Sequence, residues 1–264
     1  MKGAYQYGFF KELYVRWPDF PIKKVYAVSV GAMNAVPIVT RRMDALDKYW
    51  CNEDMTHPFD TIVDDWEDCH DCTNKNKNKN KNSQKCTPNR FRALLKHGSV
   101  FKQVKREPYE TFLKDIDADG WDMLRKKLVI ISYDKINKKT MCMPCSTIDE
   151  IVESVQASTR FPGLFDTVDA THVDGTFANL RHVLSDTDDM WLCLDLQNTL
   201  ANKIGNSHDA NVFYPRITNV PILNEVACLL STRAMLDNYI KNGKHDAKEF
   251  VNGTINGQSK VHLW

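Results

Sequence analysis

The sequence predicts an α/β fold with a largely parallel sheet, and three observations point there. Short β-prone runs alternate with helically spaced apolar segments along most of the chain. One of those runs passes into a helix through a turn of small residues, Ala27-Val28-Ser29-Val30-Gly31. At 264 residues and 42% hydrophobic content, the chain suits one large apolar core better than two small ones.

The elements follow in order. Tyr5, Phe9, Leu13 and Tyr14 recur at helical spacing, so residues 4–16 should form a first helix, ended by Pro18 and Pro21. Residues 25–28 read as a strand and 32–36 as the helix beyond the serine turn. Residues 41–50 and 57–67 read as short charged helices. Asn and Lys alternate strictly from Asn74 to Asn82, so about 73–87 is expected to be a solvated low-complexity insertion. Helical spacing returns at 91–95 and 109–116. Residues 128–133 read as a buried strand, with 140–143 as its hairpin partner. A helix over 148–157, an extended stretch over 165–173, a helix-like 177–184, a strand over 191–196 and a helix over 222–239 complete the pattern. The expected organisation is a single domain over 1–240 and a weakly structured tail over 241–264, where no clear core signal is found.

Composition excludes several classes. Lysine and arginine total 35 against 34 acidic residues, too even a balance for a global nucleic-acid binder. The longest apolar stretch, 25–39, is too short to span a bilayer and contains Ser29, Asn34 and Pro37. With no secretory signal at the start, the eight cysteines read as reduced thiols. Cys69 and Cys72, like Cys142 and Cys145, have a spacing that zinc accepts, but the first pair flanks the low-complexity run. Free thiols are the simpler reading, and no metal or other cofactor is expected.

The chemistry centres on Ser29. A serine on a strand-to-helix turn lifts its hydroxyl above the sheet edge, and small residues on either side, Ala27 and Gly31, permit the bend. The following helix aims its N-terminus at the serine, and the Val30 amide could donate to an oxyanion. The competing reading is a plain serine N-cap. His172, His182 and His208 are downstream candidates for a base, none in a distinctive context. Val173-Asp174-Gly175 is the second signal. A carboxylate at a strand end, beside a glycine that permits close approach, can take a serine proton directly. The competing reading is an ordinary Asp-Gly turn or cap.

Taken together, these segments resemble the patatin-like phospholipase family. The resemblance rests on Val28-Ser29-Val30-Gly31-Ala32-Met33-Asn34-Ala35, on Ala157-Ser158-Thr159-Arg160-Phe161-Pro162-Gly163-Leu164-Phe165, and on Val173-Asp174-Gly175. Lys2-Gly3-Ala4-Tyr5-Gln6-Tyr7-Gly8 matches the tail of the family's glycine-rich first segment. The resemblance implies a three-layer sandwich with a central, mostly parallel sheet flanked by helices. It also implies a Ser29–Asp174 dyad acting without histidine, with Gly3, Val30 and Gly31 around the elbow and oxyanion. The implied substrate is a lipid or phospholipid ester, met in the cytoplasm or at a membrane periphery. The chain departs from the family in having Ala27 for the first elbow glycine and Thr176 after Asp174-Gly175. It also lacks the family's run of glycines, which would fall upstream of Met1, so the start is expected to be placed late. The alternative reading is a catalytically silent lipid-binding or interaction module.

Overall fold

The computed structural model describes residues 2–51, 59–61, 99, 101–168, 170–179, 190–192, 194, 212–213, 233–254 and 261–263. It is a mixed α/β fold built on a seven-stranded open sheet. Helix α1 (Lys2–Arg16) leads through Pro18 and Pro21 into strand β1 (Ile22–Val28). Its Tyr5, Phe9 and Leu13, four residues apart on one face, are fully buried. Helix α2 (Val30–Val39) follows the serine turn and is buried from Ala32 to its end. Pro37 has no amide to give the Met33 carbonyl, and the Tyr109 hydroxyl donates to that carbonyl instead at 3.3 Å.

Helix α3 (Met43–Trp50) precedes the antiparallel pair β2 (Phe59–Thr61) and β3 (Phe101–Val104). Residues 57–67 were expected to be helical; 59–61 instead pair with β3, a backbone choice that the charge-rich pattern does not signal. Helices α4 (Glu107–Lys114) and α5 (Ala118–Lys127) lead into strand β4 (Leu128–Asp134), and a tight turn returns it as β5 (Lys139–Met143). Asp134 holds that turn. Its carboxylate accepts the Ile136 and Asn137 amides, both at 2.9 Å, and these bonds keep it below its ordinary pKa. Helix α6 (Ile148–Thr159) begins with a Thr147–Glu150 capping box and lies against β4.

The extended stretch expected over 165–173 is shorter: only β6 (His172–Val173) forms, after a loop of turns. Gly175–Phe177 form a 3-10 turn and 178–179 are non-helical; the remainder of the helix expected over 177–184 lies outside the described residues. Strands β7 (Met190–Leu192), β8 (Val212–Phe213) and β9 (Val261–Leu263) and helix α7 (Arg233–Thr254) complete the described elements. The sheet runs β5-β4-β1-β9-β7-β8, with β6 also against β4. Its β1–β4, β1–β9, β7–β9 and β7–β8 pairs are parallel; β4–β5 and β4–β6 are antiparallel.

Residues 241–264 differ from the weak tail expected of them. Helix α7 continues to Thr254 with Ala247, Phe250 and Val251 buried, and 261–263 enter the sheet beside β1. The helix is held by close approach. A Cβ on Gly8 would overlap the Ile240 carbonyl, and one on Gly243 would overlap the Tyr5 carbonyl, so the α1 and α7 backbones meet at these two glycines. Phe250 fills the space between Phe9 and Phe20, at 5.9 and 5.8 Å between ring centroids. The low-complexity insertion lies outside the described residues.

Candidate active site

The pairing of β4 decides where the site forms. One edge of β4 is taken by β5 along Ile130–Asp134. The other is shared: β1 occupies Leu128–Ile131 in parallel, and β6 occupies Tyr133 and Asp134 in antiparallel. Two segments thus approach each other along one lane of the sheet. β1 ends at Val28 and turns away at Ser29, and β6 arrives from the opposite direction and ends at Val173. Ser29 and Asp174 face each other across the gap, and the Ser29 Oγ donates to Asp174 Oδ2 at 2.6 Å.

Ser29 occupies the N-cap position of α2, yet its side chain caps nothing there. The hydroxyl goes to Asp174, which decides against the plain N-cap reading. The backbone at Ser29 sits at φ 55 and ψ −131, a conformation that a residue with a Cβ rarely adopts and that costs about 1–3 kcal/mol. Ser158 on α6 supports it. The Ser29 amide donates to Ser158 Oγ at 3.0 Å, and Ser158 Oγ donates to the Ile131 carbonyl at 2.6 Å. One fully buried hydroxyl thereby ties the elbow to β4.

Asp174 is fully buried. While Oδ2 takes the serine proton donor, Oδ1 accepts the Thr176 amide at 2.8 Å, so the carboxylate also caps its own turn. Its amide donates to the Arg160 carbonyl at 3.1 Å. Gly175 is required by space: a Cβ there would overlap the Ile131 carbonyl and lie 3.1 Å from Val28 Cγ1. The Asp-Gly pair therefore brings a carboxyl group against the end of β1 and the middle of β4, where no larger residue fits.

The floor of the site is polar and shared by three helices. Asn34, buried on α2, donates to the Gly3 carbonyl at 2.9 Å and to Gln6 Oε1 at 3.1 Å, and accepts from Trp50 Nε1 at 2.9 Å. Gly3 lies in the first turn of α1, where a Cβ would meet Val30 Cγ2 at 2.6 Å. Gly31 stands on α2 facing the Gln6 amide, and Ala27 is buried in β1. The first amides of α2, Val30 and Gly31, have no acceptor within their own helix. Along the rim, the Phe161 ring stacks on Phe177 at 5.6 Å.

The predicted residues Ser29, Val30, Gly31, Gly3, Ala27, Asp174 and Gly175 thus lie in one neighbourhood. His172 stands in β6 opposite Asp134, and His182 and His208 lie outside the described residues. Phe9 and Phe10 on α1 are buried in the core. Cys142 is exposed, and burial pushes the Cys145 thiol up to about 11. No group of three or more metal-ligating side chains occurs among the described residues, and Cys69 and Cys72 lie outside them. Sequence reasoning assigned no role to Ser158, Asn34 or Arg160, although all three fall within the segments that carry the family resemblance. No protein-family model matches the chain, and neither does any curated protein or solved structure. Among the described residues, no helix is long and apolar enough to cross a membrane.

Proposed function

We propose that the chain is a lipid acyl hydrolase of the patatin-like type, cleaving fatty-acyl esters with Ser29 as nucleophile and Asp174 as base. The observation that carries this reading is the 2.6 Å hydrogen bond from Ser29 Oγ to Asp174 Oδ2, made by a serine held at φ 55. Strain of this kind persists where surrounding contacts enforce it, and it concentrates at reactive sites. On the same reading the helices flank the sheet as a three-layer sandwich.

The reaction has two halves. As Ser29 Oγ bonds to the ester carbonyl carbon, Asp174 takes its proton and the carbonyl oxygen becomes an oxyanion. The Val30 amide, at the positive end of α2, would donate to that charge. Collapse breaks the bond to the alcohol, which leaves with the proton from Asp174. Water then attacks the acyl-serine, gives a proton to Asp174, and releases the fatty acid while Ser29 recovers its proton.

Exposed apolar side chains support a lipid substrate. Phe177, three residues after Asp174, is 48% exposed, and Val168 and Ile136 are 81% and 68% exposed. The loops bearing the latter two are joined by Lys135 Nζ, which donates to the Thr167 carbonyl at 2.8 Å. Such side chains suit peripheral contact with a lipid surface in the cytoplasm. Covalent labelling with a fluorophosphonate probe, mapped by mass spectrometry, tests the function. Labelling at Ser29 that disappears in Asp174→Asn is expected; an unlabelled, folded wild type would leave a silent lipid-binding module as the better reading.

A further inference from the structure

Helix α2 is buried from Ala32 to Val39, and Asn34 is the one residue of that stretch with a polar side chain. A buried side-chain amide is costly unless it is hydrogen-bonded, and an apolar side chain of similar size would avoid the cost altogether. Asn34 is fully engaged. Its Nδ2 donates to the Gly3 carbonyl at 2.9 Å and to Gln6 Oε1 at 3.1 Å, and its Oδ1 accepts from Trp50 Nε1 at 2.9 Å. One side chain thus joins α2 to two other helices, α1 and α3.

The partners matter for what else they touch. Asn34 lies one turn after Val30 and Gly31, on the same face of α2. Gly3 and Gln6 are the α1 residues packed against those two. A Cβ on Gly3 would meet Val30 Cγ2 at 2.6 Å, and one on Gly31 would lie 3.4 Å from Gln6 Nε2. The Trp50 ring also lies against Gly3, and its own carbonyl accepts from Arg233 of α7 at 2.8 Å. Asn34 therefore holds the very residues on which the first turn of α2 rests. That turn begins at Ser29 and presents the Val30 amide, and Ser158 holds its other side through the Ser29 amide.

Resting on the acyl-hydrolase reading, we propose that Asn34 is a positioning residue: through Gly3, Gln6 and Trp50 it sets the aim of the Val30 amide relative to Ser29 Oγ. It serves the oxyanion without touching substrate, because a donor aimed in advance is worth far more than one that must reorient. The test resolves inactivation by a fluorophosphonate into its limiting rate and its half-saturating concentration, beside kcat and KM on a soluble ester. Asn34→Leu keeps the volume and removes all three bonds. Its limiting rate and kcat should fall about 10- to 100-fold, the loss that a small misplacement produces, while half-saturation and KM stay close to wild type.

Trp50→Phe keeps a ring against Gly3 and removes a single bond. The same split should appear there at about 3- to 10-fold, the span of one hydrogen bond, even if Asn34→Leu fails to fold. Phe250→Leu, which loosens the core between Phe9 and Phe20, should lower stability and leave both rates unchanged. Wild-type rates in folded Asn34→Leu and Trp50→Phe overturn the proposal. A rise in KM with kcat unchanged does so too, as does a rate loss in Phe250→Leu as large as theirs. Those results leave the acyl-hydrolase reading standing, because wild type still reacts. A folded wild type that takes no label and turns over no ester overturns both, since Asn34 then has no reaction to serve.

Discussion

The serine turn and the α1–α7 helix pair solve opposite problems with opposite chemistry. At the turn, the backbone is held in a conformation it does not prefer, and single hydrogen bonds of defined direction hold it: Ser29 to Ser158, Ser158 to Ile131, Thr176 to Asp174. In the helix pair, the backbone is regular and the contact is a matter of shape, with glycines where the axes meet and aromatic rings filling the rest. The difference teaches where stability and reactivity separate. Changes at the turn should alter chemistry far more than folding, and changes at the helix pair should do the reverse.

The largest expected effect is at Ser29 itself. Ser29→Ala and Asp174→Asn should each lower ester turnover by at least about 1,000-fold, since nucleophile and base act as a unit. Ser29→Gly sharpens the comparison, because glycine accepts positive φ without a Cβ clash. It should be inactive and yet about 1 kcal/mol more stable in denaturant unfolding, the sign of strain released. A Ser29→Gly protein less stable than wild type would show that the turn is not strained.

The mirror experiment is Gly243→Val. Its side chain has nowhere to go but into the Tyr5 carbonyl and the Phe9 amide, so the helices must separate. Overpacking of this kind costs about 1–3 kcal/mol and should lower the melting temperature by about 5–10 °C. The fraction that remains folded should still take the fluorophosphonate label at Ser29. Loss of labelling in molecules that retain native secondary structure would break the separation between the two regions.

This contrast also explains what the sequence made legible. The turn could be read because its constraint is local: a strand, a serine and small neighbours fit one bend, and few other shapes suit them. Asp174 was readable from its own residues only as a chemical type, a carboxylate beside a glycine; it was the family resemblance that set it beside Ser29. What brings it to Ser29 is β6, two residues long, taking the lane that β1 leaves free along β4. No periodicity can announce a strand that short. The part of helix α7 beyond Tyr239 was missed for the converse reason. Its buried Ala247, Phe250 and Val251 are interleaved with lysine, asparagine and aspartate, and Gly243 reads as a breaker although it is the contact surface. Ser158 looked like any serine in an apolar helix, since its two partners lie more than 25 residues away in sequence.

Ser158→Ala should give an intermediate effect that reports on the link between strain and chemistry. It strands a buried amide and a buried carbonyl, costing about 1–3 kcal/mol. If the hydroxyl serves to orient Ser29, kcat should fall about 10-fold or more while KM stays close to wild type, because no substrate contact is lost. A rise in KM with kcat unchanged would place Ser158 in substrate binding instead of in the support of the elbow.

The smallest effect belongs to a buried polar contact inside the helix pair. Tyr5 on α1 donates its hydroxyl to Asp246 Oδ2 on α7 at 2.6 Å. Burial raises the Asp246 carboxyl above its ordinary value, and the Tyr5 hydrogen bond draws it back only in part. Between the ordinary carboxylate pKa, about 4, and the raised one, the folded chain keeps a proton that the unfolded chain has lost. Stability from this group is therefore full below the ordinary value and declines as pH rises through the window. Asp246→Asn keeps an acceptor for Tyr5 and cannot titrate, so its stability curve should be flatter there and should gain on wild type toward neutral pH. Denaturant unfolding of the two proteins across that range measures the difference. A wild-type advantage that grows with pH would mean that Asp246 is held as a carboxylate, and that the helix pair depends on a charge as well as on shape.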